Sequence, residues 1–321
     1  MASFAKFGQP IANLFLASVH YLLLRNPNEN LARYYPSITK RQSEEIPFEL
    51  FKNFCLTHEN RIKDALSTKI VQTNVINRCS YLMPIFSQII ARENKSTTLI
   101  DIGTSAGLTL NFDRYEYWYN GHKMYGNSEV IIKSNIISDT TCDIVKIEQP
   151  LTKIGIDQHI IDPTDPEEIL WLKALIWPDQ LDRYKAMEEA LQLNELKKIN
   201  YVQASSIRDF ENQILEMDQV QNLIIYATHV LYQFPEVEKD NFCEMLERIG
   251  KKRDYYFLSV EGTKALLDRN NSNETVIELT RYKDAHKSRI FVAETNGHGN
   301  WIKWKNPLFI SSHIPNPTTN T

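Results

Sequence analysis

With 321 residues, 42% of them hydrophobic and 24% charged, the chain has the length and composition of a globular protein with a substantial core. A net charge of −4, with no basic run longer than Lys251-Lys252-Arg253, excludes the electrostatic footprint of a nucleic-acid binder. Cys55, Cys79, Cys142 and Cys243 stand apart, without the C-x-x-C spacing of a zinc site or a disulfide framework, and read as reduced side chains.

The first 95 residues read as an N-terminal helical cap without strands. Ile11–Leu24 is apolar but too short to span a bilayer, and it carries His20. It is expected to be a buried amphipathic helix of a cytoplasmic protein with no membrane partner. Further helices are expected over Pro47–Asn60 and Val71–Arg92, the latter bent at Pro84. On that last helix Gln72, Asn74 and Arg78 stand about one turn apart and share a polar face.

From Thr97 onward strands alternate with helices, the pattern of a parallel sheet covered on both faces. Strands are expected at Leu99–Ile102, Ile154–Asp157, Tyr201–Gln203, Asn222–Thr228 and Tyr255–Val260. Helices are expected at Ala106–Arg114, from Asp165 to about Asn194 with a break at Pro178, and at Val237–Ile249. Asp165-Pro166-Glu167-Glu168 is a helix start, with Asp165 as cap, Pro166 in the first turn and Glu168 closing a capping box. An antiparallel insertion is expected over about residues 115–150, with strands at Val130–Lys133 and Ile144–Glu148. Arg289–Glu294 and Trp301–Trp304 are expected to pair antiparallel at an edge. The sheet domain then covers residues 96–310, followed by a polar tail over residues 311–321.

The segment Thr97–Asp113 carries two readings. Asp101-x-Gly103-x-x-x-Gly107 is a nucleotide-binding turn of the S-adenosylmethionine (SAM) methyltransferase kind, where glycines let backbone bend and ligand approach. Gly103-x-Ser105-x-Gly107 is also the nucleophile elbow of an α/β-hydrolase, with Ser105 attacking and His298 or His229 as base. Chain order favours the first, because a hydrolase needs earlier strands and an oxyanion loop, whereas Leu99–Ile102 opens the sheet. A non-catalytic protein that keeps the fold as a binding module is the third possibility.

Several stretches together resemble a bacterial family of uncharacterised proteins, the domain of unknown function 2332 family, over nearly the full length. They are Gln72-Thr73-Asn74 with Arg78, Gly103-x-Ser105-Ala106-Gly107-Leu108, Asp113-x-Tyr115-x-Tyr117, Gly155-Ile156-Asp157 with Asp162, Trp171-Leu172 to Trp177-Pro178-Asp179, Ser259-x-Glu261 and His298-Gly299-x-Trp301. The resemblance implies a Rossmann-like doubly wound sheet of class I methyltransferase type and brings no established reaction. Val75 and Asp101 stand where the family has Glu, Thr109 where it has Asn, and Gln203-Ala204-Ser205 where a Gly-Asp-Ala-like run is usual.

The expected cofactor is SAM, held by Asp101, Gly103, Ser105, Gly107, Asp157 and, at the third strand's end, Ser205. Asp157 is expected to take the ribose hydroxyls, with Asp162 as the alternative. Gln72, Asn74, Arg78, Asp113 and Tyr115 line the place of a small-molecule substrate. His229, Glu261 and His298, each at or beyond a strand end, are the acid/base candidates. No metal is expected, since H-x-H and H-E-x-x-H are absent.

Overall fold

The computed structural model describes residues 2–6, 8–40, 45–204, 206–217, 221–262 and 274–306. In chain order the helices are α1 (Ile11–Arg25), α2 (Pro36–Thr39), α3 (Phe48–Thr57), α4 (Glu59–Thr68), α5 (Cys79–Glu93), α6 (Pro166–Ala174), α7 (Leu181–Leu191), α8 (Ile207–Glu216) and α9 (Glu236–Gly250). The strands are β1 (Thr97–Ile102), β2 (Glu116–Tyr119), β3 (His122–Tyr125), β4 (Ile131–Ile136), β5 (Leu151–Asp157), β6 (Asn200–Gln203), β7 (Asn222–Thr228), β8 (Tyr255–Gly262), β9 (Thr275–Lys283), β10 (His286–Thr295) and β11 (Trp301–Trp304). The chain divides into two compact units, residues 1–74 with 161–192 and residues 75–160 with 193–321. Thus α5, counted with the cap in the sequence, belongs to the sheet unit, and α6 and α7 belong with the N-terminal helices. No helix among the described residues is long and apolar enough to cross a membrane.

In the helical unit, Leu14 and Leu23 of α1, Ile62 and Leu66 of α4, and Trp171 and Ala174 of α6 share one core. Trp171 is committed there, its indole N–H donating to the Ile70 carbonyl at 2.8 Å. Asp165 caps α6 as expected, accepting from the Glu167 amide at 2.8 Å. Glu168 closes no capping box; it accepts from the Asp162 amide instead. His20 lies buried between Ala174 O, 3.0 Å from Nδ1, and Ser37 Oγ, 2.8 Å from Nε2. That pairing suits a neutral ring, with Nδ1–H donating to the carbonyl and Nε2 accepting from the hydroxyl. Burial lowers its pKa from 6.5 to about 4. The unfolded chain therefore binds a proton that the folded one refuses, and the contribution of His20 to stability should fall as pH drops from 6.5 towards 4. Denaturant unfolding of the wild type and of His20→Gln at several pH values isolates this contribution: the stability of the wild type relative to the variant should fall as pH drops through this range.

The sheet unit is a mixed α/β layer whose sheet is mostly parallel, ordered β3-β2-β4-β11-β10-β9-β8-β7-β1-β5-β6. β6, β5, β1, β7 and β8 pair parallel throughout. Numbered along the chain, these five run third, second, first, fourth, fifth, so the order reverses between β1 and β7. β7 is buried along its whole length, as its apolar run requires of a strand with neighbours on both sides. Ile225 and Tyr226 are consecutive and face opposite ways. Ile225 joins a core with Phe210 and Ile214 of α8 and Phe242 and Met245 of α9. The Tyr226 ring packs 5.1 Å, centroid to centroid, from Phe86 of α5. Helices therefore cover both faces.

Three local expectations are corrected. The insertion is not a separate antiparallel piece: β2 and β3 form an antiparallel hairpin, but β4 pairs parallel with both β2 and β11 and extends the main sheet. Ile144–Glu148 forms no strand, because this segment runs beside α5, the Val145 amide donating to Ser87 Oγ at 3.1 Å and Gln88 donating to the Asp143 carbonyl at 2.9 Å. After the glycine turn comes not an α-helix but a 3₁₀ segment, Leu108–Arg114, kinked at Asn111. Its short, kinked ladder supplies little of the aligned dipole that a long α-helix would point at an anion.

Candidate functional site

The carboxyl ends of the parallel strands define one edge of the sheet, and the order reversal between β1 and β7 marks where open α/β sheets form a crevice. The glycine turn leaves β1 at this edge. Gly103 and Gly107 adopt φ of +73° and +72°, and Ser105 between them is also left-handed at +54°. The Gly103 amide donates to the Ile156 carbonyl at 2.8 Å, as does that of Thr104 at 3.2 Å, and the Gly107 amide donates to the Thr104 carbonyl at 2.8 Å. A Cβ on Gly103 would lie 2.3 Å from Val230 Cγ2, and one on Gly107 would lie 2.7 Å from Tyr201 Oη. Packing against these side chains thus demands both glycines on the Cβ side of the turn.

Asp157, at the end of β5, comes to this same turn. Its Oδ2 accepts from the Ser105 amide at 2.9 Å and its Oδ1 from the His159 amide at 3.0 Å. Asp162 instead accepts from the Thr164 amide and hydroxyl, both at 2.7 Å, and so holds its own turn. Ser205 lies outside the described residues. Its neighbour Ala204 donates its amide to the Asp157 carbonyl at 3.1 Å, tying the β6 end to the β5 end.

Asp101 is 2% exposed, and Thr109 Oγ1 donates to its Oδ2 at 2.6 Å. Burial raises its pKa to about 7, opposed by hydrogen bonds from Thr109, Thr104 and Tyr226. Asp101 therefore braces the turn from below. Ser105 is equally buried, and its Oγ has no hydrogen-bond partner, so neither His229 nor His298 stands within bonding reach of it. The serine–histidine pair of the hydrolase reading is not assembled.

A second group gathers beyond the ends of β7 and β8, around residues 228–231. Arg78 donates from Nη1 to the Thr228 carbonyl at 3.0 Å and from Nε to the Gly297 carbonyl at 3.2 Å. His229 is left-handed at φ +55°, donates its amide to the Val260 carbonyl at 2.8 Å, and has Nε2 3.4 Å from Thr275 Oγ1. Left-handed non-glycine residues carry strain and recur at functional sites; Ser105 and His229 both stand at this edge. Burial, then the charges of Arg78 and His298, lower the His229 pKa to about 3, so its imidazole is neutral near pH 7. Glu261 is 4% exposed; its Oε1 accepts from the Val230 and Leu231 amides at 2.8 and 2.9 Å, while buried Oε2 has no partner. Burial raises this carboxyl to about 7, against the pull of those amides and of Arg78.

His298 sits exposed on a turn that the start of α5 clamps. Asn77 Nδ2 and Ser80 Oγ each donate to the Gly299 carbonyl at 3.0 Å. A Cβ on Gly299 would lie 2.7 Å from the Asn77 carbonyl oxygen, which accounts for glycine after His298. The three acid/base candidates and Arg78 are thus brought to one edge.

Other expected site residues serve elsewhere. Gln72 and Asn74 share no helix face with Arg78, because residues 69–75 are irregular and a 3₁₀ turn, Ile76–Arg78, precedes α5. Tyr115 and Tyr117 are buried, their hydroxyls donating to the Leu108 and Phe112 carbonyls at 2.6 and 2.5 Å. Asp113 pairs with the buried ammonium of Lys153. These three fasten the segment between β1 and β2. Sequence reasoning missed Thr228, Val230 and Thr275 as site neighbours; an apolar residue and two threonines carry no distinctive signal.

The model of a family described as "uncharacterized protein conserved in bacteria (DUF2332)" matches residues 2–304, so the chain belongs to that family. A search of curated proteins gives no match.

Proposed function

We propose that this member of the family is a SAM-dependent methyltransferase acting on a small-molecule acceptor, with a sheet of the class I methyltransferase type. The observation that carries the reading is the meeting of the Asp157 carboxylate with the Ser105 amide at the glycine turn, beside the order reversal of the sheet. Third-second-first-fourth-fifth is the arrangement in which a carboxylate ending the second strand reaches the ribose of a nucleoside lying over the first. Because Val230 and Tyr201 fill the Cβ side, the ligand meets the turn from its amide side, where Asp157 lies.

SAM, when bound, supplies a methyl group on a sulfonium that needs little more than in-line approach of the acceptor. The acceptor's proton goes to Glu261 at Oε2, the oxygen that the Val230 and Leu231 amides leave unused. A carboxyl near 7 is matched to that task at neutral pH, whereas His229, near 3, is a weak base and serves as a neutral hydrogen-bonding group. Calorimetry with SAM and S-adenosylhomocysteine tests the reading. Both should bind, and Asp157→Ala should weaken them by about tenfold or more, the scale of a hydrogen bond to a charged group. Absence of heat from both at millimolar ligand would refute it.

A further inference from the structure

Two buried oxygens near the carboxyl edge of the sheet make no hydrogen bond. One is Glu261 Oε2, whose sister oxygen is taken by the Val230 and Leu231 amides. The other is the hydroxyl of Tyr81, a residue 0% exposed, which has no partner among the described residues. A hydroxyl shut away from water without a bond is costly, and native folds keep few of them. Tyr115, Tyr117 and Tyr119 show the ordinary arrangement, their buried hydroxyls donating to carbonyls at 2.6, 2.5 and 2.5 Å. Tyr81 departs from it.

Both oxygens belong to one place. Arg78 holds the start of α5 against the end of β7 by donating to the Thr228 carbonyl. Its backbone is already helical, at φ −59° and ψ −23°, so Tyr81 follows about one turn later on the same face. A long helical side chain leans back over the turn before its own, which carries the Tyr81 ring towards the edge at residues 228–231. Burial raises the Tyr81 phenol, Arg78 draws it down, and Glu261 is among the charges that push it up again. Arg78 acts on Glu261 in turn. The guanidinium thus neighbours both groups, and the two orphaned oxygens do not bond each other.

The pair selects a chemistry. Near neutral pH a tyrosine hydroxyl can donate, and an ionised carboxylate only accepts. One ligand atom satisfies both when it carries a proton and a lone pair, as a hydroxyl oxygen does. An ammonium lacks the lone pair, a carboxylate lacks the proton and is repelled by Glu261, and a thiol is a weak partner on both counts. We infer that Tyr81 Oη and Glu261 Oε2 together hold the hydroxyl of an alcohol or phenol, and that this hydroxyl is the group methylated. The second half rests on the methyltransferase reading, since the ribose of the cofactor offers the same chemistry. In the transfer the hydroxyl oxygen forms the new bond to carbon and gives its proton to Glu261 Oε2. The methyl–sulfur bond breaks with its electron pair left on sulfur.

Phenol is the probe, with benzoate, benzylamine and toluene as controls that share its ring, followed by NMR of the full chain. The Tyr81 ring resonances, assigned by their loss in Tyr81→Phe, should shift saturably with phenol and hardly at all with the three controls. Tyr81→Phe should weaken phenol about tenfold, the scale of one buried hydrogen bond. Because that variant loses no bond within the protein, its midpoint in urea without ligand should equal or exceed that of the wild type. A lower midpoint would give the hydroxyl a structural partner and overturn the inference. Glu261→Gln, which offers phenol a donor where it needs an acceptor, is the second variant and should weaken phenol similarly. Unmoved Tyr81 resonances at tens of millimolar phenol, or a folded variant binding phenol as well as the wild type, would also overturn it. Phenol and S-adenosylhomocysteine should bind together; mutual exclusion would place the hydroxyl on the cofactor and overturn its assignment to the acceptor. Failure to bind S-adenosylhomocysteine refutes the methyltransferase reading and leaves the phenol result standing.

Discussion

Glu261→Gln is expected to lower methyl transfer by about 10²–10⁴-fold, the usual contribution of a positioned general base, while the protein stays folded. The substitution is chosen for what it keeps. Glutamine still offers a carbonyl oxygen to the Val230 and Leu231 amides, which Glu261 Oε1 now holds at 2.8 and 2.9 Å, so the β7 end stays in place. What disappears is the proton acceptor at Oε2. In the wild type the rate should climb as pH rises through about 7, where the carboxyl loses its proton, and level off above it. In the variant that limb should vanish. The measurement is S-adenosylhomocysteine formed from SAM over a panel of small-molecule acceptors. A folded variant with unchanged rate and profile would reassign Glu261 to capping amides alone.

Gly103→Ala should cost about 2–5 kcal/mol of stability, adding about 1–2 for an L-residue held left-handed and about 1–3 for an overpacked core. The new Cβ falls 2.3 Å from Val230 Cγ2, with Cγ1 at 2.9 Å, at φ +73°. Val230→Ala in the same chain removes both methyls and should recover the packing part of the loss but not the conformational part. Urea unfolding of the two single variants and the double variant separates the terms, since contacting residues couple and distant ones do not. A loss below about 1 kcal/mol, or strictly additive effects, would mean that the turn does not pack as described.

What could be read from the residues follows where burial writes itself into the chain. β7, flanked by β1 and β8, is apolar at nearly every position, and its expected bounds, Asn222–Thr228, are the observed ones. Strand-end logic also put His229 and Glu261 at the carboxyl edge of the sheet, where the structure has His229 just after β7 and Glu261 in the last residues of β8. The rest depended on partners distant in sequence. Ile144–Glu148 alternates like a strand, yet its backbone bonds are satisfied by the side of α5. β9 passed unnoticed because its neighbours β8 and β10 give it a place that its own mixed residues do not announce. Gln72, Asn74 and Arg78 have helical spacing without a helix, since the chain runs irregularly until Ile76. Asp113 and Tyr115 are polar residues near a glycine turn, as a binding wall would be, but Lys153 and the Leu108 carbonyl claim them.

In the proposed function a nucleoside lies over the turn at residues 103–107 with its ribose at Asp157. A crystal structure of the protein grown with S-adenosylhomocysteine tests it most directly. Density for the ligand is expected on the amide side of that turn, with the ribose hydroxyls on the Asp157 carboxylate and the sulfur directed towards Glu261. Ligand density at another surface, or an unchanged Asp157 with nothing beside it at saturating ligand, would refute nucleoside binding at this turn.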